Sequence, residues 1–132
     1  MTGIMDKAGP ALAGELESVC GRWSERTGVA VEIWALPAGP VAAALRRAVL
    51  AVVGEALDNV EAHSGASTAS LAVTAGAYGL RLTVSDNGRG FASTAPGGGT
   101  ARMRAAFAEL GGRLSVRGVP GEGTTVSGTV PV

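Results

Sequence analysis

Glu55, Asn59 and His63 stand four residues apart, so on a helix they stack along one line of carboxylate, amide and imidazole. Further on, "SDNGRGF" at 85–91 ends an apolar alternation with Asp86 and sets Gly88 and Gly90 on either side of Arg89. A carboxylate fixed at a strand end accepts hydrogen bonds and suits an exocyclic amine such as adenine N6. Glycines there let main chain approach a flat ligand with no Cβ in the way. In "APGGGTARM", Gly97, Gly98 and Gly99 precede a helix, whose free amides and positive end can receive phosphate. "PGEGTTV" then joins a tight turn at Pro120, Gly121 and Gly123 to the hydroxyls of Thr124 and Thr125. Each stretch also has an ordinary reading: a helix margin, a surface turn, a linker and a hairpin.

Positioning these groups requires a defined set of elements. Leu12, Leu16, Val19 and Trp23 at helical spacing, with a stop at Gly28, predict a first helix. "VAVEIWAL" reads as a strand. A long helical pattern runs from Val41 to His63, with Leu45, Val49, Val52, Ala56 and Val60 as its apolar stripe and Arg47, Asp58 and Glu61 opposite. Glu55, Asn59 and His63 fall at the edge of that stripe, where a pocket wall would stand. "ASLAVTA" and "YGLRLTVS" predict a hairpin, "ARMRAAFAELGG" a helix closed by glycines, and "RLSVRGV" with "TTVSGTVPV" a second hairpin. Strands in adjacent pairs, without regular βαβ alternation, predict an α/β two-layer sandwich: a mixed, mostly antiparallel sheet of about five strands with about three helices on one face.

Composition narrows the class. The chain has 132 residues, 46% hydrophobic and 17% charged, with a formal net charge of zero, which fits one globular domain with a real core. Residues 1–28 form a lead and linking helix, and residues 29–132 the core. Without a basic block, neither nucleic acid nor an anionic membrane is favoured as partner. The single cysteine, Cys20, suits a reducing cytosol, and no apolar run reaches a membrane span. These features point to a cytoplasmic domain, whose parent could still carry a membrane anchor elsewhere. No G-x-x-x-x-G-K-[ST] occurs and no G-x-G-x-x-G follows the first strand, so neither common nucleotide fingerprint is present.

In this order, "EALDNVEAH", "DNGRGF", "GGGTARM" and "GEGTT" resemble the N, G1, G2 and G3 boxes of the ATP-binding catalytic domain of sensor histidine kinases. That domain belongs to the superfamily that includes DNA gyrase and mismatch-repair ATPases. "HSGAS" and "RLSVRGVPGEGTTV" resemble two-component kinases in particular. The resemblance implies ATP and Mg²⁺ as ligands. It implies that Asn59 ligates Mg²⁺, that Glu55 is a general base or water-organising acid, and that His63 lies in the nucleotide site. It further implies that Asp86 reads adenine over Gly88 and Gly90, that Gly97, Gly98, Gly99 and Thr100 belong to the ATP lid, and that Thr124 lies near the base. Thr100 stands where the family usually has Leu, and Ala62 where Lys or Arg is common.

The resemblance implies an ATP-dependent phosphotransferase of two-component signalling. Its partners would be a His-bearing dimerisation segment of the parent kinase and a downstream response regulator. The only histidine, His63, falls in the implied nucleotide site. The expectation is therefore a catalytic domain that binds nucleotide, does not phosphorylate itself in isolation and acts on a His carried elsewhere. An anti-sigma-type serine kinase of the same fold and a non-catalytic nucleotide-binding interaction module are the alternatives.

Overall fold

The computed structural model describes residues 11–89 and 98–131, apart from the side chains of residues 63 and 64. Helix α1 (Leu12–Thr27) buries Leu12, Leu16, Cys20 and Trp23, one residue per turn, and ends at Gly28, whose φ of 78° is the left-handed cap that glycine takes without steric cost. Strand β1 (Ala30–Ala35) follows. Helix α2 (Ala43–Asn59) buries Ala48, Val49, Val52, Val53, Ala56 and Leu57. Glu15 accepts two bonds from Arg46 Nη1, at 2.8 and 3.0 Å, and so ties α1 to α2.

The sequence pattern carries one α-helix to His63, but the structure changes winding after Asn59. Val60–Ser64 form a π-turn, ended by Gly65 in the left-handed region at φ 64°. In a π-turn hydrogen bonds run i to i+5, so four-residue spacing no longer returns the chain to the same line. Glu55 and Asn59 share a helical face; the backbone at His63 leaves that phase.

Strands β2 (Thr68–Gly76) and β3 (Gly79–Asp86) form the first expected hairpin. Helix α3 (Gly98–Ala108) precedes the second, β4 (Arg113–Val119) with β5 (Gly123–Val130). The five strands lie in the order β1-β2-β3-β5-β4; β1 runs parallel to β2 and every other pair is antiparallel. This is the expected mixed sheet, with α2 as the crossover between its one parallel pair.

Period-two alternation decides which sheet face is dry. Ala69, Leu71 and Val73 of β2, Leu80, Leu82 and Val84 of β3, and Val126 and Val130 of β5 are buried with the helices. Ser70 and Thr74 of β2 and Thr83 and Ser85 of β3 fall on the alternate positions and are only half-buried. Phe107 and Met103 of α3 complete the core at 0% and 1% exposure. The Phe107 ring lies over Gly128, where a Cβ would approach it to 2.7 Å. Each such buried aliphatic or aromatic side chain contributes roughly 1.5–3 kcal/mol of transfer free energy. The two tryptophans part company: Trp23 is core, whereas Trp34 on the edge strand β1 is 74% exposed.

Candidate nucleotide site

Two of the motifs, "DNGRGF" and "GEGTT", meet at the end of the sheet where β3 terminates, and the segment that follows the "EALDNVEAH" helix is bonded to them. Asp86 is the last residue of β3, facing Ala69 of β2 on one side and Thr124 of β5 on the other, so two neighbouring strands hold its backbone. Its Oδ1 accepts the Gly88 amide at 2.8 Å, closing a tight turn at which Gly88 is buried. Asn87 ties that turn to the start of β2: its Oδ1 accepts the amides of Ser67 and Thr68, both at 3.0 Å, and its Nδ2 donates to Ser67 Oγ at 3.0 Å. These bonds attach the turn to the segment that follows the π-turn.

The "GEGTT" stretch closes the other side. Gly121 N donates to Arg89 O at 2.6 Å, and Gly123, at φ 124°, packs so tightly on Asp86 that an added Cβ would overlap the Asp86 carbonyl. Thr124 is half-buried opposite Asp86, and Thr125 Oγ1 lies 3.2 Å from Ser85 Oγ. Arg89, whose destination the motif leaves open, sets its guanidinium against Gly65, within 3.6 Å of where a Cβ would stand.

Glu55 and Asn59 are half-buried on α2, one turn apart. Among the described residues the Asn59 side-chain amide has no hydrogen-bond partner, so its oxygen is free to ligate. No group of three or more His, Cys, Asp or Glu among the described residues could cage a metal. A lone amide oxygen fits Mg²⁺, which is usually held by one or two protein oxygens and completes its shell with water and phosphate.

Gly98, Gly99 and Thr100 form the first turn of α3, with Thr100 half-buried. Gly90, Phe91 and Gly97, together with the His63 side chain, lie outside the described residues. Two residues later in α3, Arg102 Nε donates to Glu55 Oε1 at 3.0 Å. Sequence spacing gave no sign of this pair, because it joins positions 47 apart in the chain. The bond of Asp86 to the Gly88 amide had a local signal, since Asp in a turn commonly bonds backbone two residues on, whereas the bonds of Asn87 reach 19 and 20 residues back and had none.

A mixed sheet with helices on one face, glycine turns at the end of its central strands and an amide on the adjoining helix defines an open α/β sandwich. The chain belongs to the histidine kinase-, DNA gyrase B- and HSP90-like ATPase family, whose model matches residues 44–132. It is 33% identical over 97% of its length to the sensor histidine kinase MctS of Rhizobium johnstonii, and 38% identical over 61% to LiaS of Bacillus subtilis. It spans only 29% and 23% of those two proteins. The histidine kinase domain of the Erythrobacter litoralis blue-light activated kinase superposes with a TM-score of 0.72 at 23% identity, over 96% of this chain and 67% of that one. Acinetobacter baumannii AdeS gives 0.71 at 17% identity, over 91% and 62%. The family match makes the chain an ATPase-type domain; the two sensor kinases are relatives in sequence, and the solved kinase domains share its fold.

Proposed function

We propose that the chain is the MgATP-binding catalytic domain of a two-component kinase, and that it transfers the γ-phosphate to a His on a separate dimerisation segment. One observation carries the reading: Asp86, the Asn87–Gly88 turn, Gly121 to Thr124 and the segment after α2 are hydrogen-bonded or packed into one end of the sheet. In this reading the Asp86 carboxylate receives the adenine amine above the Gly88 backbone. Asn59 offers its oxygen to Mg²⁺, which supplies neutralisation of phosphate charge. The open end of α3, with Gly98 and Gly99, directs amides at the phosphates.

In this reading the histidine of the dimerisation segment is the nucleophile. A ring nitrogen of the acceptor His attacks the γ-phosphorus with its lone pair, and the bond to the bridging oxygen breaks with its electrons leaving on ADP. The acceptor's other ring nitrogen gives up its proton, and the Glu55 carboxylate takes it, directly or through one water. A response regulator then receives the phosphoryl group from that His.

Calorimetry with a non-hydrolysable ATP analogue, with and without Mg²⁺, tests the binding half. Wild type is expected to bind in the micromolar to millimolar range and more tightly with Mg²⁺. Asn59→Ala is expected to lose most of that Mg²⁺ dependence while keeping metal-free binding. Absence of binding at millimolar analogue would overturn the reading.

A further inference from the structure

Glu55 is a half-buried acid with one cation bonded to it, and that cation comes from another element. Arg102 leaves α3 just after the glycine run, and the residue beside it, Met103, is 1% exposed and sunk in the core. The backbone that delivers the guanidinium is therefore anchored although the side chain itself is 67% exposed. The bond is made by Nε to Oε1 alone, so among the described residues Oε2 has no partner. The pair also rims a groove of about 320 Å³ between α2 and α3, lined by Ala51, Gly54, Asp58 and Ala106.

We propose that Arg102 is a positioning residue for phosphoryl transfer; this rests on the kinase reading above. By engaging Oε1 it fixes the rotamer of Glu55 and leaves Oε2 to take the proton from the acceptor His. It also couples the two halves of the site. α3 begins with Gly98 and Gly99, proposed to meet the phosphates, and α2 carries the acid, so the ion pair ties the phosphate-facing element to the acid. The guanidinium acts through Glu55 and is not required for nucleotide affinity. An exposed ion pair that did no more than join two helices would contribute little, and its removal would leave turnover unchanged.

The test is transfer of labelled phosphate from ATP to a His-bearing dimerisation segment of a sensor kinase supplied in trans, alongside calorimetric affinity for the Mg²⁺ complex of the ATP analogue. Arg102→Ala is expected to slow transfer by about 10-fold or more, the lower end of what positioned acid–base groups supply, with affinity unchanged within about twofold. Arg102→Lys should recover several-fold of the rate, since a cation returns without the planar fork. In a Glu55→Ala background, Arg102→Ala should cost nothing further, because residues that act as a unit are not additive. Wild-type transfer rates in Arg102→Ala, an equal loss in the Glu55→Ala background, or a parallel fall in affinity would each overturn the positioning role. Wild type that binds no nucleotide or transfers nothing would instead sink the kinase reading, and this proposal with it.

Discussion

In the proposed reading the two carboxylate oxygens of Asp86 divide between fold and ligand. Oδ1 holds the Gly88 amide, and among the described residues Oδ2 is free for an adenine amine. Asp86→Asn separates the two roles: the amide oxygen can keep Gly88, which turns the NH₂ toward the incoming amine, donor against donor. Thermal stability should stay within about 0.5 kcal/mol of wild type, as for a substitution that keeps its structural bond. Nucleotide affinity should fall by about 10-fold or more, roughly the 1.4 kcal/mol of one good hydrogen bond. Unchanged affinity in the same titration would mean that Asp86 does not read the base. This residue was legible in the sequence because a strand end, an acid and two glycines are all local signals. Arg102 was not, because an ion pair between distant helices depends on how those helices pack.

At the scale of elements, the hairpin turn between β4 and β5 is fixed by one absent side chain. Gly123 sits at φ 124° against the Asp86 carbonyl, so a methyl group there meets both backbone strain and overlap with main chain that cannot swing away. Gly123→Ala is expected to destabilise by about 2–4 kcal/mol, read as a lower urea midpoint with an unchanged slope. An equal midpoint would show that the turn relaxes freely. The hairpins, the helices and the mixed sheet were legible from periodicity and turn residues. The π-turn was not: its residues, Val60 to Ser64, continue the helical pattern without a Gly or Pro to mark the change. The parallel placement of β1 beside β2 is likewise a property of the crossover rather than of either strand's composition.

For the whole molecule, the core extends through α1, and Cys20 reports on it. The thiol is buried, and burial pushes its pKa above the ordinary range by disfavouring the thiolate. The unfolded chain therefore gives up this proton at lower pH than the native protein does. The contribution to stability is complete below the ordinary thiol pKa of about 8.5 and is lost as pH rises through the folded value. A series of urea melts from pH 7 to 10 should show stability falling above about pH 8.5 in wild type and a shallower decline in Cys20→Ala. Matching slopes would remove the thiol from the account. Trp34, unlike Trp23, lies on the outer strand of the sheet and is largely exposed, and which strand falls at the edge is set by strand pairing rather than by the residue's own type.

The π-turn has one consequence beyond helix geometry. It is the spacer between Asn59 and Thr68, between a residue proposed to hold metal and the strand to which the Asn87 turn is laced. A wide turn takes up chain length that an α-helical turn would have carried forward along the helix axis. Any gain or loss of a residue between Val60 and Ser64 is therefore felt at Ser67 and Thr68, whose amides must both reach one oxygen of Asn87. In the proposed reading, the metal side and the base side of the site are gauged against each other by the length of that one turn.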